Sequence, residues 1–171
     1  MTKIFLLTLF LAAISCSRPG VEKNAEATPA ETSIFPKGDK LPNDYFTGDA
    51  YVNRLLPSDK NNDFTLGVVS FEPAARTNWH THPKGQVLIV ISGRGIYQER
   101  GTPARHLVKG DVVNIPEETE HWLGAAPDSE FTHLTISNVK DGQTVTWLSR
   151  VTDEEYRQPT TQEYLFQATS N

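Results

Sequence analysis

Four side chains in two separate segments have the residue types and the spacing of a transition-metal site. The stretch WHTHPKGQ places His80 and His82 two residues apart, with Gln86 four residues later and directly before an apolar run. Alternate residues of a β-strand face the same way, so the two imidazoles aim at one point and Gln86 can reach back toward it. The stretch GDVVNIPEETEHW adds His121 after a Pro-terminated turn. Three imidazoles and one amide carbonyl suit Mn, Fe, Co, Ni or Zn and leave coordination positions open.

The elements that must position these side chains are short strands. Six segments rich in β-branched and aromatic residues are separated by Gly, Pro, Asp or Asn clusters: residues 64–71, 86–91, 95–100, 111–116, 131–137 and 144–150. Such a series is typical of an all-β sandwich or barrel. The stretch ISGRG predicts a hairpin over residues 86–100, and the uninterrupted VLIVI predicts a strand buried on both sides. Thr152, three residues before Glu155, predicts the capping box of a short C-terminal helix.

The N-terminal residues have the features of an export signal. Lys3 precedes an apolar run of eleven residues, Ile4 to Ile14, which is too short to span a bilayer. Cys16, the single cysteine, follows AAIS as in a bacterial lipobox. This pattern predicts a lipoprotein signal peptide over residues 1–15 and lipidation at Cys16, with an ordinary secretory signal as the alternative.

The remaining segments follow from composition. Residues 16–40 are expected to comprise the acylated cysteine and a polar, disordered tether. The folded domain is then expected over residues 41–158, with a tail at 159–171. Lipidation would anchor the protein in the bacterial cell envelope, and Ser17 after the cysteine favours the periplasm-facing side of the outer membrane.

Charge and cysteine content exclude several classes of protein. The chain has 16 Lys and Arg against 21 Asp and Glu, which gives a formal net charge of -5. A mildly acidic chain without a basic run argues against nucleic acid as a partner, and it limits the expected membrane contact to the lipid anchor. With one cysteine the chain cannot form an intramolecular disulfide, so its stability must come from the core.

The two histidine-bearing segments resemble the two sequence motifs of the cupins. Six motif positions match: His80, His82, Gly93, Gly110, Pro116 and His121. Four positions depart from the motifs: Ala74 and Glu118 replace glycines, Gln86 replaces Glu, and Ala125 replaces Asn. The resemblance implies an all-β double-stranded β-helix, or jelly-roll barrel, with a metal in the barrel mouth.

Residues 44–158 are similar, more narrowly, to the bacterial Mn-dependent (R)-selective hydroxynitrile lyases and to the cupin regions of carboxymuconolactone decarboxylase-like proteins. That resemblance extends over DYFTGDAYVNRL, FEPAARTNWHTHPKGQ and EHWLGAAPDSEFTHLTIS. It implies the ligands His80, His82, Gln86 and His121, one divalent metal (Mn first, then Fe, Zn, Co or Ni), and a homodimer or higher homo-oligomer. It also implies that His133 handles a proton and that Thr77 lies near a substrate hydroxyl. Those lyases often have His where this chain has Leu123, which puts cyanohydrin cleavage in doubt.

Replacing a Glu ligand by Gln has an electrostatic consequence. A carboxylate would cancel one positive charge of the metal, whereas the neutral amide cancels none, so the metal stays a stronger Lewis acid. We therefore expect a lyase or isomerase that acts on a small hydroxylated or carbonyl compound. The alternatives are a cupin dioxygenase and a non-catalytic envelope protein that binds a metal or a small ligand.

Overall fold

The computed structural model describes residues 34–157, and these form twelve strands and one short helix. The elements are β1 Asp39–Lys40, β2 Phe46–Thr47, β3 Ala50–Leu56, β4 Phe64–Phe71, β5 Arg76–Thr77, β6 His80–Thr81, β7 Gln86–Glu99, β8 Arg105–Val108, β9 Val112–Ile115, β10 His121–Ala125, β11 Phe131–Asn138, β12 Thr146–Trp147 and α1 Asp153–Tyr156. The predicted signal peptide, the lipidation site Cys16, most of the predicted tether and the whole of the predicted tail lie outside the described residues. Within the described range, no helix has the length and apolar character needed to cross a membrane.

Two antiparallel sheets share β7 and curl into a barrel. One sheet has the order β1-β3-β4-β11-β7-β9. In the other, β7 lies between β8 and β10, and β10 also pairs with β5 and β6, whose outer partners are β2 and β12. The predicted all-β barrel with a short C-terminal helix is confirmed.

The hairpin predicted over residues 86–100 is wrong, because β7 is one continuous strand of 14 residues. Gly93, with φ 75°, bends this strand without reversing it. A β-carbon at Gly93 would lie 1.9 Å from the Glu130 carbonyl oxygen, so the bend requires glycine. The first half of β7 pairs with β9 and the second half with β8, which take the place of the hairpin partner that the sequence suggested.

The prediction that VLIVI is buried on both sides is also wrong. Leu88 and Val90 point into the barrel and are buried, whereas Ile89 between them is 38% exposed. Its cross-strand neighbour Val112 is 60% exposed. The sheet thus has one face on the core and one face directed outward, and the outer face is apolar around these two residues.

Two further boundaries differ from the sequence prediction. Asp39 and Lys40 pair with Val52 and Tyr51, so the ordered chain begins before residue 41. The segment predicted as a strand over residues 144–150 is a strand only at 146–147. Both strands are two residues long and exist through pairing with a distant partner, which local sequence does not reveal.

The short helix α1 packs against the sheet that contains β5, β6 and β10. The predicted capping box is confirmed, since the Thr152 hydroxyl accepts from the Glu155 N–H and the Glu155 carboxylate accepts from the Thr152 N–H. Buried Arg76 donates to the Asp153 carboxylate at 2.6 Å. Tyr156 packs in a cluster with Trp79 and Trp122.

Candidate metal centre

Strand pairing brings the three predicted histidine ligands together. His80 on β6 is directly paired with His121 on β10, and their ring centroids are 4.1 Å apart. His82 follows β6, with its ring centroid 5.1 Å from that of His80. The ligating nitrogens of the three residues lie within 4.8 Å of one another, and all three side chains are buried. One divalent cation can contact all three from such a cluster.

Backbone carbonyls fix the orientation of each imidazole. Nδ1 of His80 donates to the Asn78 carbonyl at 3.0 Å, and Nδ1 of His121 donates to the Thr119 carbonyl at 2.8 Å. His82 makes the same kind of bond to the carbonyl of Thr144. Because Nδ1 carries the proton in each neutral ring, the lone pair is on Nε2.

The Gln86 amide is oriented by a neighbouring hydroxyl. Its Nε2 donates to Ser137 Oγ at 2.9 Å, and Ser137 Oγ lies 3.3 Å from the Thr135 hydroxyl. The amide nitrogen is therefore occupied, and the carbonyl oxygen is the atom left to act as a ligand. Sequence reasoning missed Ser137, although its spacing from His133 places it on the same strand face.

Unpartnered polar atoms show that the residues fit a metal. Among the described residues, the buried side-chain atoms without a hydrogen-bond partner include Nε2 of His82, Nε2 of His121 and Oε1 of Gln86. Leaving a buried acceptor unpaired is unfavourable by about 1–3 kcal/mol. These three atoms belong to three of the four predicted ligands, and a shared cation would satisfy all of them.

Burial keeps these histidines neutral. It is the largest cause of a His80 pKa well below the ordinary value, and the neighbouring His121 and His82 rings lower that pKa further. Burial lowers the pKa of His121 to about 4, although the bond to the Thr119 carbonyl opposes the shift. The pKa of His82 is also lowered, again mainly by burial. At neutral pH the Nε2 atoms of the cluster are therefore unprotonated, and a metal can bind them without displacing a proton.

The two predicted catalytic residues line the cavity beside the cluster. His133 on β11 is 3% exposed, with its ring 6.0 Å from Phe71 and 5.3 Å from Phe131 between centroids. Burial lowers the pKa of His133 to about 3. Thr77 Oγ1 accepts the Leu123 N–H at 3.1 Å, so the hydroxyl keeps its own proton for a ligand.

A cavity of about 260 Å³ is lined by every predicted metal and catalytic residue except His121. Eight apolar side chains form much of its wall: Leu41, Phe46, Val52, Val69, Phe71, Leu123, Val145 and Trp147. Trp147 lies with its ring 4.9 Å from that of His80, and it stacks on Tyr45 at 4.7 Å. His106 on β8 is exposed and does not line this cavity.

Two departures from the cupin motifs keep a glycine-like backbone. Ala74 has φ 64° and Glu118 has φ 57°, both in the left-handed region that the motif glycines would adopt without strain. The Glu118 N–H donates to the His82 carbonyl at 3.0 Å, and the Thr81 hydroxyl donates to the Glu118 carboxylate at 3.1 Å. The turn before His121 is thereby fastened to the His80–His82 segment.

Two curled antiparallel sheets with three histidines in the barrel mouth define a double-stranded β-helix with a centre suited to a divalent metal. The family profile of the cupin domain matches residues 67–137. The chain is also 44% identical over 118 residues to an (R)-mandelonitrile lyase from Granulicella tundricola, a match that covers 69% of this chain and 90% of the relative. The chain belongs to the cupin family.

Other similarities are more distant or carry less chemical information. An acireductone dioxygenase from Marinobacter nauticus is 29% identical over 79 residues, which cover 44% of this chain and 40% of that protein. A cupin-like protein from Thermotoga maritima, known as a crystal structure, is 50% identical with a TM-score of 0.71, covering 76% of this chain and 98% of that one. The DMSP lyase DddQ from Ruegeria pomeroyi, at 21% identity and a TM-score of 0.51 over 64% of this chain and 56% of its own, shows the fold alone.

Proposed function

We propose that this cupin is a metal-dependent enzyme of the lyase or isomerase type, acting on a small hydroxylated or carbonyl compound. His80, His82, His121 and Gln86 would hold one divalent metal, Mn in the first place and Fe, Zn, Co or Ni as alternatives. The observation that supports this most directly is the set of buried, unpartnered lone pairs in that cluster. The similarity to an (R)-mandelonitrile lyase at 44% identity supports the reaction class.

The chemistry that a metal supplies in such a site is polarisation of a substrate oxygen. Because Gln86 is neutral and the three imidazoles are neutral, none of these four side chains reduces the charge of the ion. Thr77 is placed to donate its hydroxyl proton to a substrate oxygen and so orient it. His133 is neutral at neutral pH, so its ring has a lone pair that can accept a proton, and the burial that lowers its pKa makes it a weak base.

The apolar wall supports a substrate with an aromatic or aliphatic body. Leu123 is 3% exposed and belongs to this wall, at the position where the resembling lyases often have His. The cavity therefore has one polar group fewer near the metal centre. We infer that cyanohydrin cleavage is at most a secondary activity of this chain and that the native substrate presents an apolar surface to Leu123.

Metal content is the experiment that tests the site. Residues 34–171 are purified without a His tag, beside Gln86→Ala and His121→Ala variants and a His106→Ala control. We expect about one metal ion per chain in the parent and the control, with less in both site variants, because coordination number sets affinity. A domain that contains no metal and takes up no added Mn, Fe or Zn would refute the proposal.

A substrate panel tests the reaction class. His133→Ala should lower turnover of carbonyl or cyanohydrin substrates by roughly 10²–10⁴-fold while metal content is unchanged. An unchanged rate would remove His133 from the mechanism. The acireductone dioxygenase relatives support an oxidative alternative. Oxygen uptake with an enediol or catechol would favour it, and metal binding without turnover would favour a non-catalytic binding protein.

Assembly and location remain proposals. We infer a homodimer or higher homo-oligomer, supported by the exposed Ile89 and Val112 on the outer face of the first sheet. Ile89→Lys should then lower the sedimentation coefficient of residues 34–171 to that of a monomer, and an unchanged coefficient would exclude this face from the contact. Membrane attachment through Cys16 is tested by metabolic labelling with a fatty acid in the full chain and in Cys16→Ser.

A further inference from the structure

An arginine faces the cavity from the strand beside the wall. Arg54 on β3 lines the cavity and is paired across the strands with Gly67 on β4. Gly67 is in turn paired with Thr135 on β11. Since Gly67 has no side chain, nothing in this row stands between the Arg54 side chain and Thr135. The guanidinium can therefore extend along this row toward Thr135 at the cavity mouth.

This row lies next to the proposed ligand Gln86. Thr135 and Ser137 are two residues apart on β11, and Ser137 is paired with Gln86. Two residues along a strand span about 7 Å. A substrate could thus have one end over Thr135 and an oxygen at the metal centre. A small molecule of this length fits a cavity of about 260 Å³.

Within the part of the chain that the structure describes, the cavity lining has a positively charged side chain and no negatively charged one. Among the described residues that line it, Arg54 is the one Lys or Arg, and Asp and Glu do not occur. The chain as a whole has a net charge of -5, so this positive region is local. A cavity whose lining has apolar walls and a cation but no acidic side chain concentrates anions.

The existing partner of Arg54 is a weak competitor. Arg54 Nη1 lies 3.6 Å from Asp39 Oδ2, and these side chains are 69% and 87% exposed. Ion pairs this exposed contribute little to stability. An anion at the cavity mouth can therefore compete with Asp39 for the guanidinium.

We propose that Arg54 forms an anion subsite at the cavity mouth and that the substrate has a carboxylate or similar anionic group on the end remote from its reacting oxygen. This inference rests on the proposed function for the position of that oxygen. Arg54 is thereby a specificity-determining residue, whereas the apolar wall receives the body of the substrate.

Two matched probes test the subsite. 4-(Hydroxymethyl)benzoate has a hydroxyl at one end for the metal centre and a carboxylate at the other, and 4-(hydroxymethyl)benzamide has the same shape without the charge. Their binding to residues 34–171, which contain every described strand and both hydrophobic clusters, is measured by calorimetry with and without added Mn. The variants are Arg54→Gln and Arg54→Lys. The control is Arg94→Gln, because Arg94 pairs with Asp128 outside the cavity.

We expect the parent to bind the benzoate about fivefold more tightly than the benzamide, the upper end of what an ion pair with so exposed an arginine contributes. Arg54→Gln should remove this preference, Arg54→Lys should restore part of it, and the control should keep it. A preference that persists in Arg54→Gln would overturn the subsite, as would equal binding of both probes or no saturable binding of the benzoate.

The metal content of the same samples separates the two proposals. If the parent contains and accepts no metal, the proposed function fails, yet the Arg54 comparison can still be read on the metal-free protein. If metal binds as expected and the charge preference does not depend on Arg54, the proposed function stands and the anion subsite is wrong.

Discussion

Replacing His133 by Phe should make the domain less sensitive to acid. His133 packs between Phe71 and Phe131, and burial lowers its pKa from 6.5 to about 3. Phe has a similar ring shape and suits those neighbours. In the unfolded chain the imidazole takes up a proton near pH 6.5, whereas in the folded chain it does not until about pH 3. The contribution of the neutral His133 ring to the free energy of unfolding is therefore fully present above pH 6.5, and it is lost as the pH falls toward 3.

The magnitude follows from that difference in pKa. Between pH 7 and pH 5, one histidine with these two pKa values lowers the free energy of unfolding by about 2 kcal/mol. Phe at this position removes that contribution. The other buried histidines contribute equally to both proteins, so they cancel in the comparison.

The assay is urea unfolding of residues 34–171 at pH 7 and pH 5, with a chelator present so that metal binding does not enter. The loss of stability should be about 2 kcal/mol smaller in His133→Phe than in the parent. His106→Gln is the matched control, because His106 is exposed, and it should lose as much stability as the parent. Equal acid sensitivity in His133→Phe and the parent would refute the account of His133 as a buried, neutral ring.

Three further substitutions test particular contacts. Ser137→Ala removes the acceptor of the Gln86 amide, so metal affinity should fall about 10- to 100-fold in a competition titration, and an unchanged affinity would show that the amide needs no such support. Gly95→Ala puts a β-carbon 2.5 Å from a buried aromatic ring, so thermal unfolding should show a loss of about 1–3 kcal/mol, and a neutral result would mean that the ring can move aside. Ala74→Gly relieves a positive φ of 64°, so it should leave stability equal or raise it by a few tenths of a kcal/mol. Ala75→Gly, at a buried position without that strain, should lose about 1 kcal/mol in the same assay, and equal losses in both variants would contradict the strain argument.

Local patterns predicted those features that depend on near neighbours in the chain. The spacing of His80 and His82 placed two imidazoles in one cluster, and Thr152 with Glu155 predicted a capping box that is present. Strand texture predicted β4, β9 and β11 closely, because β-branched and aromatic residues fit a pleated, half-buried surface whatever their partner is. The paired motifs also led to the cupin family, which the comparisons confirm.

What the sequence could not supply depends on which distant strands meet. Gly93 permits a turn and a bend equally, and β7 stays continuous because β8, β9, β10 and β11 all pair with it. The apolar run around Ile89 predicts a core residue, but the placement of the sheets determines that its face is directed outward. The same holds for the cavity: Arg54, Gly67 and Thr135 are far apart in the chain, and only the register of β3, β4 and β11 puts them in one row.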